Sequence, residues 1–182
     1  PTYTVGGING EATLAFDTQA EAQNVCLFMS DRLNFDIDKL LRIEMAVKMG
    51  QAAVDATTSL AFGLASARND AIDSITAHAS FRVIGSGSTT AVVVETDDGT
   101  TDLDDKATGT TLINAYKRFV IDFSGGTSNV KFYIDGVQVA TSTTFDMSGY
   151  TAGLQPYVQL QKTSDANANS VVVDYIKIVS RR

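Results

Sequence analysis

From Leu41 to Met49 the apolar residues Leu41, Ile43, Met45, Val47 and Met49 alternate with Arg42, Glu44, Ala46 and Lys48. Successive side chains of a strand point to opposite faces, so this unbroken period of two predicts a strand with one face in a core and the other in water. A helix cannot use the pattern, because a 3.6-residue repeat would spread the apolar set around its whole circumference. The same period returns along the chain. Ser59 to Leu64 sets Leu60, Phe62 and Leu64 against small residues, and Phe119, Ile121 and Phe123 alternate within Arg118 to Phe123. Leu154 to Gln161 and Val171 to Val179 are two further strands, parted by a polar loop from Thr163 to Ser170.

Turn chemistry joins these strands. Ser80 to Ile84 and Ala91 to Glu95 read as a strand pair around Gly85-Ser86-Gly87-Ser88. In Val130 to Val139 the pair Asp135-Gly136 supplies two residues that tolerate positive φ, as a two-residue hairpin requires. Helix is minor: Asn69-Asp70 can cap one short turn through Ile75, and Thr18 to Asn24 is ambiguous. Strands recurring about every ten residues, with turn signals between them, predict an all-β antiparallel sandwich or jelly roll. Its 182 residues form one domain, the first 24 read as an extended segment.

Composition narrows the chemistry. An apolar fraction of 44% with 19% charged residues describes a folded chain. Its 21 acidic against 14 basic residues leave a net charge of −7, which argues against nucleic acid or an anionic membrane as partner. One histidine, one cysteine and no tryptophan exclude an internal disulfide and leave few groups for metal sites or nucleophilic catalysis. Cys26, in the apolar run Val25 to Met29, reads as a structural thiol rather than a nucleophile paired with His78, and His78 as a strand-edge residue. The start, Pro1 to Thr4, has no charged segment followed by an apolar one, and no apolar run is long enough to span a bilayer, so a soluble protein made in the cytoplasm is expected.

Two segments carry a resemblance. Phe132-Tyr133-Ile134-Asp135-Gly136-Val137-Gln138-Val139 is similar to the F-Y-[IV]-D-G-x-x-V hairpin of the concanavalin A-like lectin and glucanase superfamily. Val173-Asp174-Tyr175-Ile176-Lys177-Ile178 resembles the closing strand of its laminarinase-type members. The resemblance implies a concanavalin A-like jelly roll of two curved antiparallel sheets, the last strand returning beside the first. Laminarinase-type enzymes place their acids as E-x-D-x-x-E on one strand, and this chain has no such motif. Its nearest approach is Asp36-Ile37-Asp38, with Glu44 six residues beyond Asp38, which leaves the third carboxylate out of place. No catalytic residue, no metal ligand set and no cofactor is therefore assigned. Glu95, Asp97, Asp98, Asp102, Asp104 and Asp105 lack the ordered spacing of a calcium loop and read as a solvated acidic loop with a turn at Asp98-Gly99.

One row remains as a contact candidate. Gln155, Tyr157, Gln159 and Gln161 share one side of their strand, offering a ring and three amides free of charge, for a protein partner or a glycan. Three classes stay open. The first is a non-enzymatic virion protein, since F-Y-I-D-G, L-Q-P-Y-V-Q and V-D-Y-I-K in a Thr-, Ala-, Ser- and Val-rich jelly roll resemble tailed-bacteriophage virion proteins that decorate and stabilise a capsid. That resemblance implies the major capsid protein lattice as partner and the virion as location. The second is a carbohydrate-binding lectin-like module, and the third a glycoside hydrolase. The residues are silent on whether copies form a homo-oligomer.

Overall fold

A computed structural model of the chain describes residues 2–5, 10–32, 35–52, 54–85 and 90–182. It is an all-β sandwich of two antiparallel sheets. Sheet A runs in the order β1 (Thr2–Val5), β2 (Ala12–Ala15), β14 (Ser170–Ser180), β5 (Leu40–Met49), β10 (Lys117–Asp122), β11 (Lys131–Ile134) and β12 (Val137–Val139). Sheet B runs β3 (Gln23–Phe28), β13 (Gly153–Lys162), β6 (Thr58–Ala65), β7 (His78–Ile84), β8 (Ala91–Asp97) and β9 (Asp102–Thr111). The short β4 (Phe35–Asp36) continues the β3 edge by pairing with Gly153 and Leu154. The last strand, β14, lies between β2 and β5. No helix among the described residues is long and apolar enough to cross a membrane.

The alternations set the core as predicted. Ile43, Met45, Val47 and Met49 of β5 are buried against Leu60, Phe62 and Leu64 of β6 and Phe81 and Val83 of β7. A ladder of rings stitches the sheets together: Phe62, Phe81, Phe119, Phe132 and Phe145 stand 4.7–5.5 Å apart between centroids, mostly edge to face. The Asp135-Gly136 hairpin has φ of 51° and 85° at its two central residues, the twist-matched turn that the sequence specifies. The Gly85 to Ser88 turn falls largely outside the described residues.

Two expectations change. The acidic segment is not a loop: β8 runs to Asp97 and β9 starts at Asp102, so only residues 98–101 turn. Asp98 holds that turn by accepting from the backbone N–H groups of Thr100 and Thr101 at 2.9 and 2.7 Å, with Gly99 at a φ of 83°. The period-two signal fails on β9 because it is an edge strand with few buried side chains and no apolar set to alternate. The expected short helix reduces to a single 3-10 turn, Ile72–Ser74.

The 163–169 loop is fastened from inside. Lys162 is almost fully buried, and its Nζ donates to the carbonyls of Asp17, Gln19 and Asp165 at 2.8–3.0 Å. One ammonium thus ties the 16–22 segment to the loop after β13, with the Phe16 ring beside it.

Candidate polar site on the outer face of sheet B

The pleat of β7 sends Ala79, Phe81 and Val83 into the core and His78, Ser80 and Arg82 to the opposite face. In the β7–β8 register Ser80 stands opposite Glu95, so His78 and Arg82, two residues to either side, flank the Glu95 carboxylate diagonally. Glu95 Oε1 is 2.6 Å from His78 Nε2, and its Oε2 accepts from Arg82 Nη1 at 2.5 Å. His78 Nδ1 lies 3.2 Å from the Ile75 carbonyl. Both imidazole nitrogens therefore face acceptors, and making both bonds requires the imidazolium. Arg82 also pairs with Asp73.

Burial alone would lower the His78 pKa, but the hydrogen bond and charge of Glu95, with the Ile75 carbonyl, outweigh it and raise it. Burial likewise pushes Glu95 up, and the two cations more than reverse this and hold it down. The rim behaves in the opposite sense. Asp102 is raised by burial and then by the charge of Asp104, Asp97 and Glu95; Asp105 is raised by burial, with Arg82 only partly offsetting it. These groups line a pocket of about 350 Å³ formed by Ser59, Asp73, His78, Arg82, Glu95, Asp97, Asp102, Asp104 and Asp105 with Ile84. Six carboxylates against two cations make it acidic. Among the described residues no group of three or more His, Cys, Asp or Glu side chains is placed to hold a metal ion.

The row on β13 is not an open face. Gln155, Tyr157 and Gln159 are 0–1% exposed, and only Gln161 is partly accessible. β13 is an interior strand of sheet B, and residues 66–77, between β6 and β7, cross over it and place Ile72 and Ile75 on Ala61, Ala65 and Tyr157. The amides serve the fold instead. Gln155 Oε1 accepts from the N–H of Met29 and Asp31 at 2.9 and 3.3 Å and its amide donates to Asp31, holding a turn in which Ser30 and Asp31 both have φ of 56°. Gln159 donates to the Asp70 carbonyl at 3.4 Å, and Gln161 accepts from Ile72 N–H at 3.4 Å.

The remaining candidates lie apart. Asp36 and Asp38 are exposed, Asp36 accepting from the Asp38 N–H at 3.1 Å, while Glu44 sits on sheet A and accepts from Tyr175 Oη at 2.6 Å. The Cys26 thiol is half-buried and pushed up to about 12, chiefly by burial, so it is a poor nucleophile at neutral pH. His78 is the first residue of β7, an interior strand, and it is buried. Arg82 and its link to Glu95 went unremarked in the sequence, although counting pairs back from the 85–90 connection would have set Ser80 against Glu95.

No protein-family model and no curated protein matches the sequence. Solved structures do match its fold. The Emp47p carbohydrate recognition domain superposes with a TM-score of 0.65 at 12% identity, over 100% of this chain and 87% of that one. A Bacillus licheniformis β-glucanase gives 0.66 at 12%, over 94% and 79%. A Bacteroides ovatus glycoside hydrolase family 16 enzyme from a mixed-linkage glucan locus, in complex with an oligosaccharide product, gives 0.62 at 14%, over 97% and 84%. The fold is the concanavalin A-like jelly roll, shared by lectin domains and glucanases.

Proposed function

We propose that the chain is a non-enzymatic recognition module and that the pocket beside His78, Arg82 and Glu95 takes a neutral glycan. The observation that carries this is the pocket's rigid, acceptor-rich wall. Sugar hydroxyls donate to carboxylates, and the ion pairs to Glu95 hold the floor in place before any ligand arrives. The carboxylate excess disfavours anionic sugars. Glu95 is also ill-suited to acid–base work, since a glycosidase acid needs a raised pKa and Glu95 is held down between two cations. Carbohydrate proteins of two kinds among the fold neighbours support the ligand class. A glycan array followed by calorimetry tests it: neutral glycans should bind, and the double variant Asp102→Ala/Asp105→Ala should weaken binding about tenfold or more. Binding confined to acidic glycans, or none, would overturn the ligand class. Release of reducing sugar from mixed-linkage glucan would overturn the non-enzymatic part.

A second reading, a virion protein that docks on and stabilises a phage capsid lattice, is favoured by the outer face of sheet A. There Tyr133, Tyr175, Arg42 and Arg118 stand around a shallow depression of about 200 Å³ and in the strands beside it. Tyrosine and arginine are the residue types that protein interfaces enrich. This reading moves the contact from β13 to β14, β5, β10 and β11. Co-sedimentation with capsids, and its loss in Tyr175→Ala/Arg118→Ala, would support it; unchanged occupancy would rule that face out.

A further inference from the structure

Residues 66–77 form a strap over the outer face of sheet B, and the way it is fastened differs from the rest of the sandwich. Its ends are pinned to each other: Ser66 N–H donates to the Ala77 carbonyl at 2.8 Å, and Ala65 pairs with His78 as the last rung of the β6–β7 ladder. Between those ends, among the described residues, no backbone–backbone hydrogen bond joins the strap to a strand. Its other tethers are made by side chains: Asn24 donates to the Asp70 carbonyl at 2.9 Å, Arg82 pairs with Asp73, His78 Nδ1 faces the Ile75 carbonyl and Arg68 N–H donates to Asp31, both at 3.2 Å, while Gln159 to Asp70 and Ile72 to Gln161 are long, at 3.4 Å. Only Ile72, Ile75 and Ala77 of the strap are buried.

What lies on the covered face fits the strap poorly. Gln159 Oε1 is buried without a hydrogen-bond partner, and so are Ser80 Oγ and Arg82 Nε on β7, beyond β6. All three belong to side chains more than nine-tenths buried. Buried polar atoms in folded proteins are almost always paired, so three orphans on one face require an explanation. The floor between them is nearly smooth, because β6 presents Ala61, Gly63 and Ala65 to that side. Gly63 admits no side chain: at a φ of 148°, a Cβ there would stand 2.4 Å from the Ala79 carbonyl.

The geometry points to a hinged lid: the strap swings about Ser66 and Ala77 and uncovers a groove that continues the acidic pocket across β7 and β6 to Tyr157 and Gln159. Resting on the glycan reading above, this groove takes an extended neutral oligosaccharide, one end among the carboxylates of the pocket and the other against the Tyr157 ring and the Gln159 amide. The orphaned Ser80 hydroxyl, Gln159 amide oxygen and Arg82 guanidinium N–H become its donors and acceptors, and the small residues of β6 leave room for the chain of rings.

The test is a thiol placed beneath the strap. In a Cys26→Ser background, Ala61→Cys sets a buried sulfur under Ile72, and its reaction with Ellman's reagent reports opening. The lid predicts a labelling rate that does not change with low concentrations of urea and rises at least tenfold in Ile72→Ala. A rate that follows global unfolding through urea would overturn it. Should the cysteine variant fail to fold, hydrogen exchange of the Ile72 and Ile75 amides in the unaltered chain gives the same reading: exchange by local opening, well ahead of Phe62 in β6, supports the lid, and exchange together with Phe62 overturns it. Mixed-linkage gluco-oligosaccharides, or whichever neutral glycan the array returns, should change Ala61→Cys labelling at least threefold. A glycan that binds but leaves labelling unchanged would overturn the groove and confine the ligand to the pocket. Opening with no glycan binding at all would instead overturn the glycan reading and keep the lid.

Discussion

The two outer faces of this sandwich have the same kind of sequence and opposite fates. On sheet A the outward residues Arg42, Glu44, Lys48, Arg118 and Tyr175 stay wholly or partly in water, their contacts being rim ion pairs and hydroxyl bonds such as Tyr175 to Glu44. On sheet B the outward residues His78, Arg82, Glu95, Tyr157 and Gln159 are buried. Polarity at alternate positions therefore marks which face of the strand a residue occupies, but not whether that face is wet. A single twelve-residue connection decides it here. The energetic consequence is large, since a charge pair in water is worth little while a buried charge left alone is costly.

The largest effect is expected from removing one charge from each face. Glu95→Ala should cost about 3–5 kcal/mol in urea unfolding, because it strands the His78 and Arg82 cations in a buried site. Glu44→Ala on sheet A should cost less than about 1 kcal/mol, its partners being free to hydrate. Equal losses would mean that the two faces are not energetically distinct. Next in size is the strap itself: Ile75→Ala should cost about 2 kcal/mol, at the low end for a buried isoleucine because the exposed strap can settle into the space.

His78 and Glu95 also make the stability of sheet B depend on pH. His78 has a raised pKa in the folded state, so its contribution is fully present below its unfolded value and is lost as pH rises through the folded one. Glu95 has a lowered pKa, so its contribution is present above its unfolded value and is lost as pH falls through the folded one. Stability from the triad is therefore greatest between roughly pH 4.5 and 6.5, and His78→Gln should flatten the alkaline limb of the melting-temperature profile. A limb unchanged in His78→Gln would mean that the ring does not carry the charge. Smallest of all, Asp102→Asn should raise the melting temperature slightly at low salt, since exposed Asp102 faces the charges of Asp104, Asp97 and Glu95. The gain should vanish in high salt, and a gain that persists there would point away from charge repulsion.

Much of the architecture was legible in the residues. The alternation in β5, β6, β10 and β14 and the Asp135-Gly136 turn are local signals, each fixed by pleat geometry or by backbone φ. β9 escaped because an edge strand such as Asp102 to Thr111 has few buried side chains and therefore no period to read. The Gln155 to Gln161 row was read correctly as one side of a strand and wrongly as surface, because what covers a face is a long-range fact. Lys162 shows the same limit: a lysine at a strand end reads as solvated, and only the meeting of the 16–22 and 163–169 segments supplies the carbonyls that bury it.

That this chain is an all-β antiparallel sandwich, and which side chains share a face, can be read from the residues alone, since both follow from a period of two that any strand must obey. So can the shortage of histidine, cysteine and tryptophan that narrows its chemistry. That His78, Arg82 and Glu95 form one buried charge chain is a product of the assembled fold, because their contact depends on the register between β7 and β8. So is the cover over the Tyr157 row, which depends on where residues 66–77 come to rest. Alternation is a property of one strand, whereas contact and cover are properties of pairs of segments far apart in the chain, and no local pattern encodes them.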